Sequence, residues 1–165
     1  MKISAYLLIS LLITSCKNDA AQENLADLLD GMPYIEGKMD YLDSPYVTAG
    51  NRVYMVGQQD GSFAEIGWHI KGEMGGIWNH PIKLMDGFNA ELLFAEDRTP
   101  LDRADKFINY PLANVHQYSL SKYQLSVERW QIVPDDKEGI AIQYIFHNQG
   151  DNTVEFDLNF TAHAD

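Results

Sequence analysis

The chain has 165 residues, with 24 Asp+Glu against 12 Lys+Arg and a formal net charge of −12. That balance argues against nucleic acid as a partner, because binding to a phosphate backbone is driven by clustered Lys and Arg. A single cysteine, Cys16, excludes an internal disulfide and a thiolate metal site.

The first segment, MKISAYLLISLLITSC, reads as a secretion signal covering residues 1–16. Lys2 supplies the positive region, Ile3 to Ile13 the apolar region, and Thr14 and Ser15 the small residues before a cleavage point. The apolar stretch is about half of what a helix needs to cross a bilayer. Cleavage would leave Cys16 as the first residue, and ITSC resembles the lipobox of bacterial lipoproteins. That resemblance implies lipidation of Cys16 and attachment to the bacterial outer membrane, facing the periplasm or the cell surface. Anchoring by more than one acyl chain is stable where one chain is marginal. Residues 17–40, rich in acids, read as a spacer with a short helix around Asn24 to Leu29.

From Tyr41 to Asp165 the chain reads as strands and turns. Asn51 to Gly57 carries apolar residues on both faces, as a strand covered on each side does. Asp60-Gly61 is a turn signal, with Phe63 to Ile70 as the expected return strand. Phe88 to Ala95 and Leu112 to Leu120 read as two more strands, and Leu101 to Ile108 as a turn of helix. Near the end the alternation is clear: Tyr123, Leu125 and Val127 alternate with Gln124, Ser126 and Glu128, then Ile140, Ile142, Tyr144 and Phe146 with Ala141, Gln143 and His147, then Val154, Phe156, Leu158 and Phe160 with Glu155, Asp157, Asn159 and Thr161. These three strands are expected to form a meander. In the first, the residue after Val127 in phase is Arg129, whereas Trp130 carries the bulk, so a bulge near Glu128 to Trp130 is expected to return Trp130 to the core. The chain stops soon after Phe160, and the domain at 41–165 is expected to be cut short.

The chemistry-bearing stretch is GWHIKGEMGGIWNHPIKLMDGF, Gly67 to Phe88. Loops held by a rigid sheet commonly carry binding residues. Trp68 and Trp78 can cover the apolar face of a sugar, leaving its hydroxyls to His69, Glu73, Asn79, His80 and Lys83. The competing interpretation makes both tryptophans packing residues and both histidines structural. His69, Glu73 and His80 could serve as zinc ligands, but their spacing matches no metal motif and no metal or other cofactor is expected. Acids are plentiful, yet no spacing singles out a catalytic pair of the kind glycoside hydrolysis requires, so no catalytic residue is nominated.

The runs YVTAGNRVYMVGQQDGSFAEIGWHIKGEMGGIWNHPIKLMDGF and VERWQIVPDDKEGIAIQYIFHNQGDNTVEFDLNFTAHAD resemble the N-terminal part of lipoprotein-type glycogen-debranching and related α-glucan-cleaving enzymes of Bacteroidota. The strands and turns themselves read as an all-β, sandwich-like domain, and the resemblance implies an antiparallel β-sandwich of the galactose-mutarotase-like supersandwich type. It also implies a following (α/α)6 barrel that holds the catalytic carboxylates, so that this chain alone is non-catalytic. Carbohydrate, the membrane and the C-terminal (α/α)6 domain are then the expected partners. A stand-alone carbohydrate-binding lipoprotein and an assembly domain without a small ligand remain as alternatives.

Overall fold

The computed structural model describes residues 24–63 and 74–164. Within them the fold is all-β, with three antiparallel sheets and a single α-helical turn, α1 (Leu25–Leu28). The largest sheet has five strands: β1 (Ile35–Glu36), β8 (Lys106–Asn109), β9 (Ala113–Leu120), β10 (Leu125–Ile132) and β11 (Ala141–Asn148), in that spatial order. A four-stranded sheet follows chain order through β2 (Pro45–Ala49), β3 (Tyr54–Gln58), β4 (Gly76–Asn79) and β5 (Ile82–Met85). The third places β6 (Gly87–Phe94) between β12 (Asp157–His163) and β7 (Asp97–Pro100).

Alternation along the strands decides what lies inside. On β10 the residues Leu125, Val127, Arg129 and Gln131 share one face, and all four are buried. Opposite them on β9 stand Leu120, Tyr118, His116 and Asn114, in continuous register. On the other side of β10, Val127, Arg129 and Gln131 face Phe146, Tyr144 and Ile142 of β11. This face meets the other two sheets. Tyr118, Leu125 and Val127 pack with Ala90, Leu92, Leu101 and Ala104, while Phe107 and Val133 pack with Tyr46, Val53, Met55, Ile77 and Phe88. Fully burying side chains of this size is worth roughly 1.5–3 kcal/mol each.

The opposite face of the five-stranded sheet is covered from the N-terminal side. Ala113, Val115 and Trp130 form a cluster with Leu29, joined by Leu25, Ala26 and Met32. Gln143 of β11 fixes the helical turn, since its Oε1 accepts from the Leu25 amide (2.8 Å) and its Nε2 donates to Asn24 Oδ1 (3.3 Å). β1 adds to the edge of the same sheet by pairing with β8. The helix expected around Asn24 to Leu29 is therefore present, and this stretch, assigned to the acidic spacer, contributes directly to the fold.

Three local expectations are corrected. No bulge interrupts β10: Arg129 pairs with His116 and Tyr144 in regular register, and Trp130 faces the N-terminal cluster. The phase break that suggested a bulge marks a strand buried on both faces, one by a polar row and the other by a helix. Leu101 to Ile108 is not helical, for Lys106–Asn109 is a strand held by β9. The last three strands do not form a meander either, because β12 leaves β11 and pairs with β6 along its whole length. The strand expected at Asn51 to Gly57 begins later, at Tyr54, and pairs with β2 and β4. The return strand expected at Phe63 to Ile70 falls mainly outside the described residues.

Candidate functional site

Of the nominated binding residues, Trp78, Asn79, His80 and Lys83 are described; Trp68, His69, Glu73 and the lipidation candidate Cys16 lie outside the described residues. The stretch that reads as a glycine-rich loop contains a hairpin, β4–β5, with Trp78 opposite Lys83 and, on the other side, Tyr54 of β3. Gly76 makes the approach to it possible. Its φ is +98°, and a Cβ there would lie 2.2 Å from the Met85 carbonyl oxygen.

These cross-strand neighbours enclose Trp78. Its ring lies parallel to that of Tyr54 at an interplanar angle of 4° and a centroid distance of 6.3 Å. Lys83 Nζ sits 5.6 Å from the indole centroid, and it pairs with Asp86 at 2.5 Å. The indole Nε1 donates to the Gly75 carbonyl (3.1 Å). Trp78 is thus half-buried, with its polar group already satisfied. Asn79 and His80 stand apart from this row. They border an open depression of about 520 Å³ together with Asn51, Arg52 and Tyr54. Arg52 is held at its rim by Glu138 (2.5 Å), and Asn51 by the 135–136 turn.

A second concentration of polar groups lies inside, where sequence reasoning placed no site. Arg129 is 1% exposed and His116 and Gln131 are 0% exposed, on adjacent strands facing the core. The Arg129 guanidinium donates to the Gly61 carbonyl (2.8 Å) and lies over the rings of Phe88 (5.3 Å) and Tyr118 (5.9 Å). No described carboxylate pairs with it. Gly61 is obligatory at this contact: its φ is +97°, and a Cβ would fall 2.2 Å from Tyr118 Oη and 2.9 Å from an Arg129 nitrogen. Burial, followed by the neighbouring Arg129 charge, holds His116 well below the ordinary histidine range, so it is neutral. Burial likewise raises Tyr46, Tyr118 and Tyr144, against the pull of the same guanidinium, which keeps all three phenols protonated. Next to this row Gln131 Nε2 donates to Asn114 Oδ1 (2.6 Å) and Tyr46 Oη (3.0 Å), while Asn114 Nδ2 donates to Thr48 Oγ1 (2.7 Å). A neutral imidazole, three neutral phenols and amides joined to one another form a framework, with no activated nucleophile or base among them. The signal that could have found this row was Arg129 at an inward position of an alternating strand.

Among the described residues no three His, Cys, Asp or Glu side chains gather as a metal site. Comparison with protein-family models, with curated proteins and with solved structures finds no match.

Proposed function

We propose that this chain is the N-terminal, non-catalytic domain of an exported glycoside hydrolase acting on α-glucan, its three sheets forming the layers of an antiparallel sandwich of the galactose-mutarotase-like type. The general acid and base belong to a C-terminal helical barrel, and Cys16 ties the protein to the outer membrane. The observation that carries this reading is incomplete burial of apolar side chains on β11 and β12, each an outer strand of its sheet. On β11, Ile142, Tyr144 and Phe146 face inward yet are only half-buried. On β12, Leu158 is 40% exposed and Phe160 44% exposed, although Phe160 stacks on Phe88 at 5.2 Å. Apolar surface left exposed on the outer strands of two sheets is what a docked neighbour covers. The resemblance to α-glucan-cleaving lipoproteins supplies the identity of that neighbour.

The test extends the chain into the reading frame that follows codon 165, where this proposal requires a helical domain. Protection of the Leu158 and Phe160 amides from hydrogen exchange in the longer protein, with α-glucan hydrolysis present there and absent from the shorter chain, is the expected result. A gene that encodes no helical domain after codon 165 or beside it overturns the proposal. A stand-alone carbohydrate-binding lipoprotein is the second reading, favoured by the open depression beside Asn79 and His80. Saturable oligosaccharide binding that is lost on replacing Trp68 and Trp78 with alanine supports it, and binding indifferent to both replacements removes it.

A further inference from the structure

Exposed apolar side chains concentrate near the start of the described chain. Leu28, Tyr34, Ile35, Met39, Tyr41 and Val47 are all exposed, Ile35 by 74%, Met39 by 71% and Val47 by 58%. The stretch that carries them crosses one face of the five-stranded sheet from edge to edge. It starts at β11, where the Gln143 side chain holds Asn24 and Leu25. It passes over Val115 and Trp130 through Leu29, while the adjacent Leu28 stays outside. Tyr34 then rests against Tyr110, with 5.7 Å between ring centroids, and β1 forms the far edge of the sheet. Beyond it Ile35, Tyr41 and Val47 line one groove together with Lys38, and Met39 shares a 3-10 turn with Tyr41. Exposed apolar residues gathered in this way mark a contact surface.

Charge and tether length identify what it contacts. Lys38 lies over the Tyr41 ring at 5.8 Å, and among the described residues no carboxylate pairs with it, since Glu36 is engaged by Lys106 at 2.7 Å. Asp40, between Met39 and Tyr41, is also exposed. A zwitterionic phospholipid headgroup answers both charges, its phosphate meeting Lys38 and its ammonium Asp40. Tyrosines and long lysine stems are the side chains that settle at a membrane–water interface. A net charge of −12 disfavours an anionic lipid surface. Residues 17–23 separate Cys16 from Asn24, and eight extended steps reach at most about 28 Å. β1 lies four strand spacings from β11, about 19 Å. The tether is therefore long enough for this face to lie flat on the bilayer that holds the anchor. We propose that the face from Leu28 to Val47 rests on a zwitterionic phospholipid surface, its apolar side chains among the headgroups. This inference rests on the lipid-anchor part of the proposed function, and it leaves the inward side chains of β11 and β12 to the neighbouring domain.

The test uses the full acylated chain in vesicles of phosphatidylcholine and phosphatidylethanolamine, with a spin label on Ile35→Cys or Met39→Cys and, as reference, on Asp151→Cys in an exposed turn. Collisions with oxygen, which concentrates in lipid, are compared with collisions with a water-soluble nickel chelate. The expected result is a preference for oxygen at 35 and 39 and for nickel at 151. Adding Ile35→Asp, at an exposed position, should return the label at 39 toward the value at 151. Nickel access at 35 and 39 equal to that at 151 overturns the proposal. So does protection from both reagents, the mark of a protein partner or a second copy, and so does an oxygen preference that persists at full strength beside Ile35→Asp. Intact mass separates the two levels: an unmodified Cys16 removes the anchor and the proposal together, whereas nickel access on an acylated chain removes the proposal alone.

Discussion

Replacing Arg129 separates the worth of its charge from the worth of its volume. The guanidinium is buried, donates one hydrogen bond to Gly61 O and lies over two aromatic rings. A hydrogen bond from a charged group contributes about 1.5–3 kcal/mol, and each cation–π contact about 0.5–2 kcal/mol. Against these stands a desolvation penalty of several kcal/mol for a buried ion that no described carboxylate compensates. The terms nearly cancel. Arg129→Met, which keeps most of the stem volume and removes the charge, is expected to change stability by less than about 1.5 kcal/mol in either direction. Arg129→Ala also removes the volume beneath Phe88 and Tyr118 and should cost about 3–5 kcal/mol, as other large-to-small core changes do. In urea denaturation, with a slope of about 2 kcal/mol per molar, the methionine variant should move the midpoint by under about 1 M and the alanine variant by about 2 M. If methionine costs as much as alanine, the charge itself is strongly stabilising and the cancellation argued here is wrong.

Leu29→Ala should destabilise the chain by about 2–3 kcal/mol, because Leu29 is 7% exposed against Trp130 and Val115; a thermal melt indistinguishable from the parent's would show that the N-terminal segment is not part of the cooperative unit. Gly76→Ala should cost more than about 1 kcal/mol, since it combines a positive φ with a backbone clash, and the loss should appear as weakened amide protection across β4 and β5. Hydrogen bonds from Lys122, then from Tyr123 and the Arg98 amide, lower the Asp97 carboxyl to about 2 from an ordinary 3.8. A carboxylate with a depressed folded value stabilises the fold above its unfolded value and loses that contribution as it protonates. The parent's advantage over Asp97→Asn should therefore be constant above about pH 5, shrink as pH falls through the unfolded value and be lost only below about 2, and an advantage undiminished at pH 2 would contradict the assignment.

Legibility along the chain follows the strength of the alternation. β9, β10 and β11 were readable to within a few residues, because each has a long run in which polar and apolar positions change places. β1, β5, β7 and β8 have four residues or fewer, too short for a period of two to stand out from a turn. Lys106–Asn109 illustrates the cause: the strand exists because β9 offers it a register, and its own residues, with Leu101 and Ala104 before it, spell a helical spacing equally well. Partner choice was the least legible property. Nothing in Asp157 to His163 distinguishes an edge that pairs with β11 from one that pairs with β6, since both neighbours present the same apolar alternation.

The site shows a different limit. Reading Gly67 to Phe88 by residue type grouped Trp78, Asn79, His80 and Lys83 as one lining, but a strand places consecutive side chains on opposite faces. The hairpin turns that grouping into two: a Tyr54–Trp78–Lys83 row whose rings and charges satisfy one another, and an Asn79–His80 end that opens on a depression. Arg129 shows the converse. Arg129 falls in phase with Leu125 and Val127, but the expected bulge serves to return the bulky Trp130 to the core face, and the burial of Arg129 itself goes unread although a buried guanidinium is costly. The cost is met by partners remote in sequence, the Gly61 carbonyl and the Phe88 and Tyr118 rings, which no local pattern around Arg129 announces. A sequence can therefore show that an inward polar residue needs compensation, while only the packing of three sheets shows where the compensation comes from.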